Sequence, residues 1–169
     1  MKIKNIEAVM KSGGVERYHA MPEIPNQTLA EHQWGVAILI MKFFPNGDPQ
    51  LLQAALVHDC PELLTGDTPT FAKKKQPALK SLLDQMEDEI AIDWGIDNVL
   101  TEKESQALKM CDVLEGMTYC HKHVMRGNRE AEKVFHNWID CYDSLNSMKF
   151  LDIAEYVALL KSEVEFQNA

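Results

Sequence analysis

No two cysteines in this chain stand in a Cys-x-x-Cys spacing. The four present, Cys60, Cys111, Cys120 and Cys141, therefore do not form a zinc ribbon or a thioredoxin-like motif. Their spacing also suggests no disulfide framework, and free thiols suit a reducing cytoplasm. Basic charge is scarce too. Seventeen Lys and Arg face 26 Asp and Glu, for a net charge of −9, so there is no footprint for a nucleic acid polymer. A negative surface repels phosphorylated substrates at long range. If such a substrate binds, a metal and a few local cations must reverse the field at the site. Long apolar runs are missing as well. The strongest, from Val36 to Phe44, is broken by Lys42 and is too short for a bilayer. The first ten residues lack the apolar centre of a secretory leader. The expectation is a cytoplasmic protein with no membrane partner.

The 169 residues fit one domain rather than two, and the expected unit is the whole span 1–169. Hydrophobic residues at 46% are ordinary for a globular chain. Strand-like alternation, repeats and low-complexity tracts are absent, and helical spacing runs almost throughout. Ile3, Ile6, Val9 and Met10 recur at that spacing, and Gly13-Gly14 stops the first helix. Residues 22–27, with two prolines, read as a loop. Thr28-Leu-Ala-Glu31 fits a capping box and opens a helix to about Phe44 that is apolar on most sides, the expected buried centre. A third helix is predicted from about Pro49 through His58, with Pro61 perturbing its end. Residues 65–69 form a turn, Lys73–Lys75 a short basic piece, and 77–94 a helix closed by Gly95. Thr101-Glu-Lys-Glu104 is a second capping box and opens a long helix to about Val124. Helices over about 129–145 and 150–166 complete an all-α bundle of six to eight helices.

His58-Asp59 follows the apolar residues Ala54, Ala55, Leu56 and Val57. A His-Asp doublet alone says little. Its context is Glu31-His32, in the first turn of the apolar helix, and Asp112, inside a partly buried segment. A buried carboxylate needs a partner, and a metal ion is one. Imidazole and carboxylate together suit a first-row divalent ion such as Mn, Co, Fe, Ni or Zn. Two His and two Asp leave positions open for water and a phosphate oxygen. If the helix persists through Pro61, Glu62 shares a face with His58 and Asp59. It then stands where a general acid or base would act on water.

His32, His58-Asp59 and Asp112 match the H…HD…D signature, and the chain resembles the HD superfamily of phosphohydrolases. Its first two thirds are similar to the HD-domain 5′-deoxynucleotidases and their phage relatives. Val15-Glu-Arg17-Tyr18-His19 resembles the family's arginine-aromatic entry motif, and Thr28-Leu-Ala-Glu-His32 its first-histidine motif. Residues 58–70 resemble its H-D-x-x-E-x-x-T-G-D-x-P-T core, and Lys109-x-x-Asp112 its last ligand. The resemblance implies that Arg17 and Lys73 contact phosphate, that Glu62 assists catalysis, and that Asp67 helps to read the deoxyribose. It also implies that Tyr18 packs against the base. The short chain and the Gly13-x-Val15-x-Arg17-Tyr18-His19 opening are most like the phage dATP triphosphohydrolases, which makes the host cytoplasm the setting if the chain is phage-encoded. The family resemblance also implies a homo-oligomer, with the late helices supplying contact surface.

The expected function is therefore a metal-dependent deoxynucleotide phosphohydrolase, first of all one releasing deoxyadenosine and triphosphate from dATP. The alternative is a 5′-deoxynucleotidase acting on monophosphates, and a third reading is a silent nucleotide-sensing module. Each residue also has an ordinary reading. Alone, His32 is a helix-start residue with a satisfied hydrogen bond, Glu62 a solvated carboxylate, and Asp67 a turn stabiliser. Arg17 and the lysine run are then solvated surface, and Tyr18 ordinary packing. His121 and His123 point to different sides of one helix and are not a metal pair. Phe135, Trp138, Tyr142 and Leu145 follow helical spacing and read as core or subunit interface.

Overall fold

Thr28 and Thr101 start the two helices on which the rest is assembled. In a computed structural model, which describes residues 1–21, 24–145 and 150–167, both form complete capping boxes. The Thr28 hydroxyl accepts from the Glu31 backbone N–H, and the Glu31 carboxylate accepts from the Thr28 N–H. Thr101 and Glu104 repeat the pattern. Each box satisfies two donors that the first turn would otherwise leave open.

The elements are α1 (Ile6–Ser12), β1 (Glu16–Arg17), β2 (Gln27–Thr28), α2 (Leu29–Phe43), α3 (Pro49–Ala55), α4 (Glu62–Thr65), α5 (Thr70–Lys75), α6 (Pro77–Trp94), α7 (Glu102–Val124), α8 (Glu130–Ser144) and α9 (Leu151–Gln167). The class is all-α, as expected. Nine helices among the described residues exceed the expected six to eight because α4 and α5 are short helices where turn and basic signals dominate the sequence. No described helix is long and apolar enough to cross a membrane.

The long helix α7 is the axis. On one side Ala107 and Cys111 meet Val36, Ala37 and Ile40 of α2, with Leu51 and Ala55 of α3. On the other, Met110, Leu114, Met117 and Cys120 pack with Ala131, Phe135 and Ile139 of α8, and with Ile153, Val157, Leu160 and Val164 of α9. Each fully buried aliphatic side chain of this kind contributes about 1.5–3 kcal/mol, which explains why α2 and α7 stay locked side by side. A smaller cluster joins Val57 and Cys60 to Trp94 and Ile96. Helix α6 ends at Gly95, whose φ of 67° is left-handed. The Ile96 N–H closes back onto the Ala91 carbonyl at 2.9 Å, a Schellman-type stop.

Two local expectations fail, both near the site. The segment before α2 is not wholly loop. Glu16 pairs with Thr28 and Arg17 with Gln27 in a two-stranded antiparallel ladder, too short for any alternation to show. Helix α3 stops at Ala55 and does not run through His58. Pro61 has no N–H to donate and its ring crowds the carbonyl four residues back. Apart from one i→i+4 bond, from His58 N–H to Ala54, the chain accordingly tightens to i→i+3 bonds, with Val57 N–H to Ala54, Cys60 to Val57, Glu62 to Asp59 and Leu64 to Pro61, a 3₁₀-like pattern. Val57 and Cys60, 5% and 1% exposed, anchor this turn in the core.

Candidate active site

The turn between α3 and α4 presents His58 and Asp59, α2 presents His32, and α7 presents Asp112. Suitable donor atoms of His32, His58 and Asp59 all lie within 4.8 Å of one another. His32 Nε2 is 3.4 Å from Asp59 Oδ2 and 3.3 Å from Asp112 Oδ1, and His58 Nε2 is 3.3 Å from Asp59 Oδ2. Both Nε2 atoms are buried and without a hydrogen-bond partner. Buried polar groups normally have one, so these two orphans aimed at carboxylates are the strongest sign of a cation site. The donor set, two imidazoles and two carboxylates, fits a first-row divalent ion.

The other ring nitrogens are held. His58 Nδ1 lies 3.0 Å from the Ala55 carbonyl, which can only accept. The Nδ1 proton is therefore fixed, and in the neutral ring Nε2 carries the lone pair. His32 Nδ1 meets the Glu115 carboxylate at 2.5 Å. Such partners orient metal-ligating histidines. Asp112 is shared, with Oδ2 accepting from Lys109 Nζ at 2.7 Å and Oδ1 left for the centre. Burial opposes ionisation of Asp59, but the charges of His58 and His32 outweigh it and hold its carboxyl well below the usual range. Asp112 is likewise held ionised against burial, by Lys109 and His32. Burial and Arg17 push the His32 imidazolium down, yet contacts with Asp112, Asp59 and Glu115 win and lift it to about 10.

Glu62, 6% exposed, opens α4 with its Oε2 unpartnered. Burial, then the charges of Asp59 and Asp67, push its carboxyl up to about 9, against the pull of Lys73 and Arg17. It therefore carries a proton at neutral pH while no cation sits beside Asp59. Tandem turns, not a continuous helix, bring His58, Asp59 and Glu62 to one place.

Beside this cluster opens a cleft of about 210 Å³, lined by Arg17, Tyr18, Asp67, Phe71, Lys74 and Trp138 among others. Arg17 is buried at 8% exposed and bridges cluster and cleft. Tyr18 has a φ of 62°, the one positive value outside glycine among the described residues. Its ring stacks on Tyr119 with centroids 5.3 Å apart, and its hydroxyl accepts from Trp138 Nε1 at 3.2 Å. Lysine 74, not Lys73, lines the cleft wall. Lys73 lies toward Glu62 and Glu87, whose acidity it raises. Trp138, expected as core or interface, packs against the core and also faces the cleft.

The family model described as 5′-deoxynucleotidase YfbR-like matches residues 6–159. The chain belongs to the YfbR-like HD-domain family. This YfbR-like protein is 29% identical over 128 residues to the dATP triphosphohydrolase of Salmonella phage PMBT28, a match covering 68% of this chain and 65% of that one. It is 26% identical over 140 residues to the 5′-deoxynucleotidase of Vibrio cholerae serotype O1, covering 69% and 72%. The chain thus spans about two thirds of the length of the phage relatives it matches, 65% and 66% for two of them. Among solved structures, the HD phosphohydrolase of cyanophage S-2L, bound to dA and one catalytic Zn²⁺ ion, shares the fold. The TM-score is 0.72 over 98% of this chain and 99% of that one, at 21% identity.

Sequence reasoning passed over Glu115 and Gln27 in this YfbR-like chain. Glu115 sits three residues after Asp112, on the same face of α7, as a lone charge inside Val113-Leu-Glu-Gly-Met117. A buried acid within an apolar run was the available signal. Gln27 had none, because only the β1–β2 pairing puts it opposite Arg17.

Proposed function

We propose that this chain is a metal-dependent phosphohydrolase of deoxynucleotides, with His32, His58, Asp59 and Asp112 holding one divalent ion. The observation that carries this reading is the pair of buried, unpartnered Nε2 atoms facing carboxylates that are already ionised. When bound, such an ion acidifies water and withdraws charge from a phosphate oxygen. The protein's own groups supply the rest. Arg17, and Lys73 or Lys74, offset phosphate charge in an otherwise acidic chain. Tyr18 and Trp138 give the nucleoside apolar walls, and Asp67, which lines the same cleft, reads the sugar. Water adds to the phosphorus that carries the 5′ oxygen, and the bond from phosphorus to that oxygen breaks. Water loses a proton and the departing 5′ oxygen gains one, and Glu62 carries it between them.

The first choice of substrate is dATP, giving deoxyadenosine and triphosphate. Two relatives named dATP triphosphohydrolase, at 29% identity, support it. The second reading, a nucleotidase acting on deoxynucleoside monophosphates, draws on the family description and the Vibrio relative. Incubation with dATP and dAMP under Co²⁺, Mn²⁺ or Zn²⁺, with the released phosphate species identified, separates them. Inorganic triphosphate from dATP supports the first reading, and turnover of dAMP alone supports the second. Nucleotide binding without turnover under any of these ions refutes both in favour of a silent sensor module.

A further inference from the structure

We propose that Glu115 is a positioning residue and that the chain Arg17–Gln27–Glu115–His32 fixes which nitrogen of His32 faces the metal. The proposal rests on the metal-site reading above. Its logic is donor and acceptor polarity. A guanidinium can only donate. Arg17 Nη1 lies 3.2 Å from the side-chain oxygen of Gln27, so that oxygen must accept. The Gln27 amide nitrogen then turns the other way and donates to Glu115 Oε1 at 2.6 Å. The second oxygen, Oε2, takes His32 Nδ1 at 2.5 Å and Arg17 Nη1 at 3.4 Å. An ionised carboxylate only accepts. His32 Nδ1 is left with one role, that of donor, so the proton a bound metal displaces is the one on Nε2, and Nε2 offers its lone pair to the centre. Arg17 and the Gln27 amide thus hold Glu115 in place as an acceptor, and Glu115 sets the imidazole tautomer.

All four groups are buried, between 0% and 8% exposed, so no water stands ready to replace a lost partner. The space for the carboxylate is reserved by Gly35, where an added Cβ would fall 2.7 Å from Glu115 Cγ. The same carboxylate touches the ligand His32 and the phosphate-facing candidate Arg17. It therefore ties metal affinity to substrate affinity.

Glu115→Gln tests this because no arrangement of its amide satisfies the network. With its oxygen toward His32, its NH₂ confronts the Gln27 NH₂. Turned round, its NH₂ confronts Arg17 and forces His32 into the other tautomer. Turning Gln27 instead sets its NH₂ against Arg17. Removing an outer partner of a metal-bound histidine weakens the metal ~10–100-fold, and that loss is expected here in Co²⁺ affinity measured by chelator competition. A changed visible spectrum of the bound Co²⁺ and a raised KM should accompany it. A Glu115→Gln variant that folds and binds Co²⁺ as tightly as the wild type, with the same spectrum, overturns the proposal and leaves the metal reading intact. A wild type that binds no Co²⁺ overturns the metal reading and the proposal with it. Should the variant fail to fold, long-range ¹H–¹⁵N correlation on the Zn²⁺-loaded wild type decides. Protonated Nδ1 on His32 supports the proposal, and protonated Nε2 refutes it.

Discussion

Gly116→Ala should damage substrate binding while sparing the metal. Gly116 lies on the face of α7 covered by α8, and an added Cβ would fall 2.5 Å from Trp138 Cε2 and 2.6 Å from Cζ2. Carbon atoms rest at about 3.5–4.0 Å, so the indole must retreat by about 1 Å or the two helices must part. Overpacking of this kind costs about 1–3 kcal/mol, partly offset by the gain of about 1 kcal/mol from replacing a mid-helix glycine with alanine. The indole is a wall of the cleft, and its N–H holds the Tyr18 hydroxyl at 3.2 Å. Its displacement therefore moves two surfaces at once. If the net loss of up to about 2 kcal/mol falls on substrate binding, KM for the deoxynucleotide rises by up to about 30-fold, at about 1.4 kcal/mol per tenfold. Steady-state kinetics beside Co²⁺ affinity is the assay. Lowered thermal stability with an unchanged KM would refute the assignment of this cleft to the nucleoside.

Glu62→Gln should lower turnover by ~10²–10⁴-fold and leave Co²⁺ bound; near-normal turnover would remove Glu62 from proton transfer. The same variant bears on stability. An acid raised from 4.5 to about 9 in the fold binds a proton that the unfolded chain lacks, so metal-free wild type loses stability as pH rises between those values. The variant should lose less over that window in thermal melts, and parallel slopes would refute the weakened acidity of Glu62. Divalent-ion binding should displace a proton from His32, lifted from 6.5 to about 10. Co²⁺ affinity should then climb about tenfold per pH unit for each proton released, and a pH-independent affinity in titration calorimetry would refute this. The same shift favours the metal-free fold fully below 6.5, and that contribution fades as pH passes through about 10. Asp67→Ala should erode the preference for deoxy over ribo substrates in a competition assay, and an unchanged preference would remove its assigned role.

Much of the architecture was legible because the start and stop signals were strong. Both capping boxes, the Gly95 stop and the two final helices fall where helical spacing put them. The failures have local causes. Helix α3 seemed to reach His58 because apolar residues continue through Val57, but Pro61 acts four residues upstream of its own position. The strands β1 and β2 escaped notice because two residues cannot show a period. At the site, His32, His58 and Asp59 do come together and Asp112 lies against His32. A spaced His and Asp pattern records groups that point inward. The supports behind them are harder to read. Glu115 and Gln27 are fixed by contacts across α2, α7 and the short ladder, and nothing local marks such partners. Which of three adjacent lysines faces the cleft is likewise decided by the phase of α5, a six-residue helix whose start no cap announces.

Tyr18 carries a further consequence in its backbone. A non-glycine residue at a φ of 62° stores on the order of 1–2 kcal/mol, spent when the chain folds and not when a guest arrives. With Tyr119 against its face and Trp138 gripping its hydroxyl, the ring has little rotational freedom left to surrender. An incoming nucleoside would thus meet a rigid platform and retain more of its contact energy as affinity.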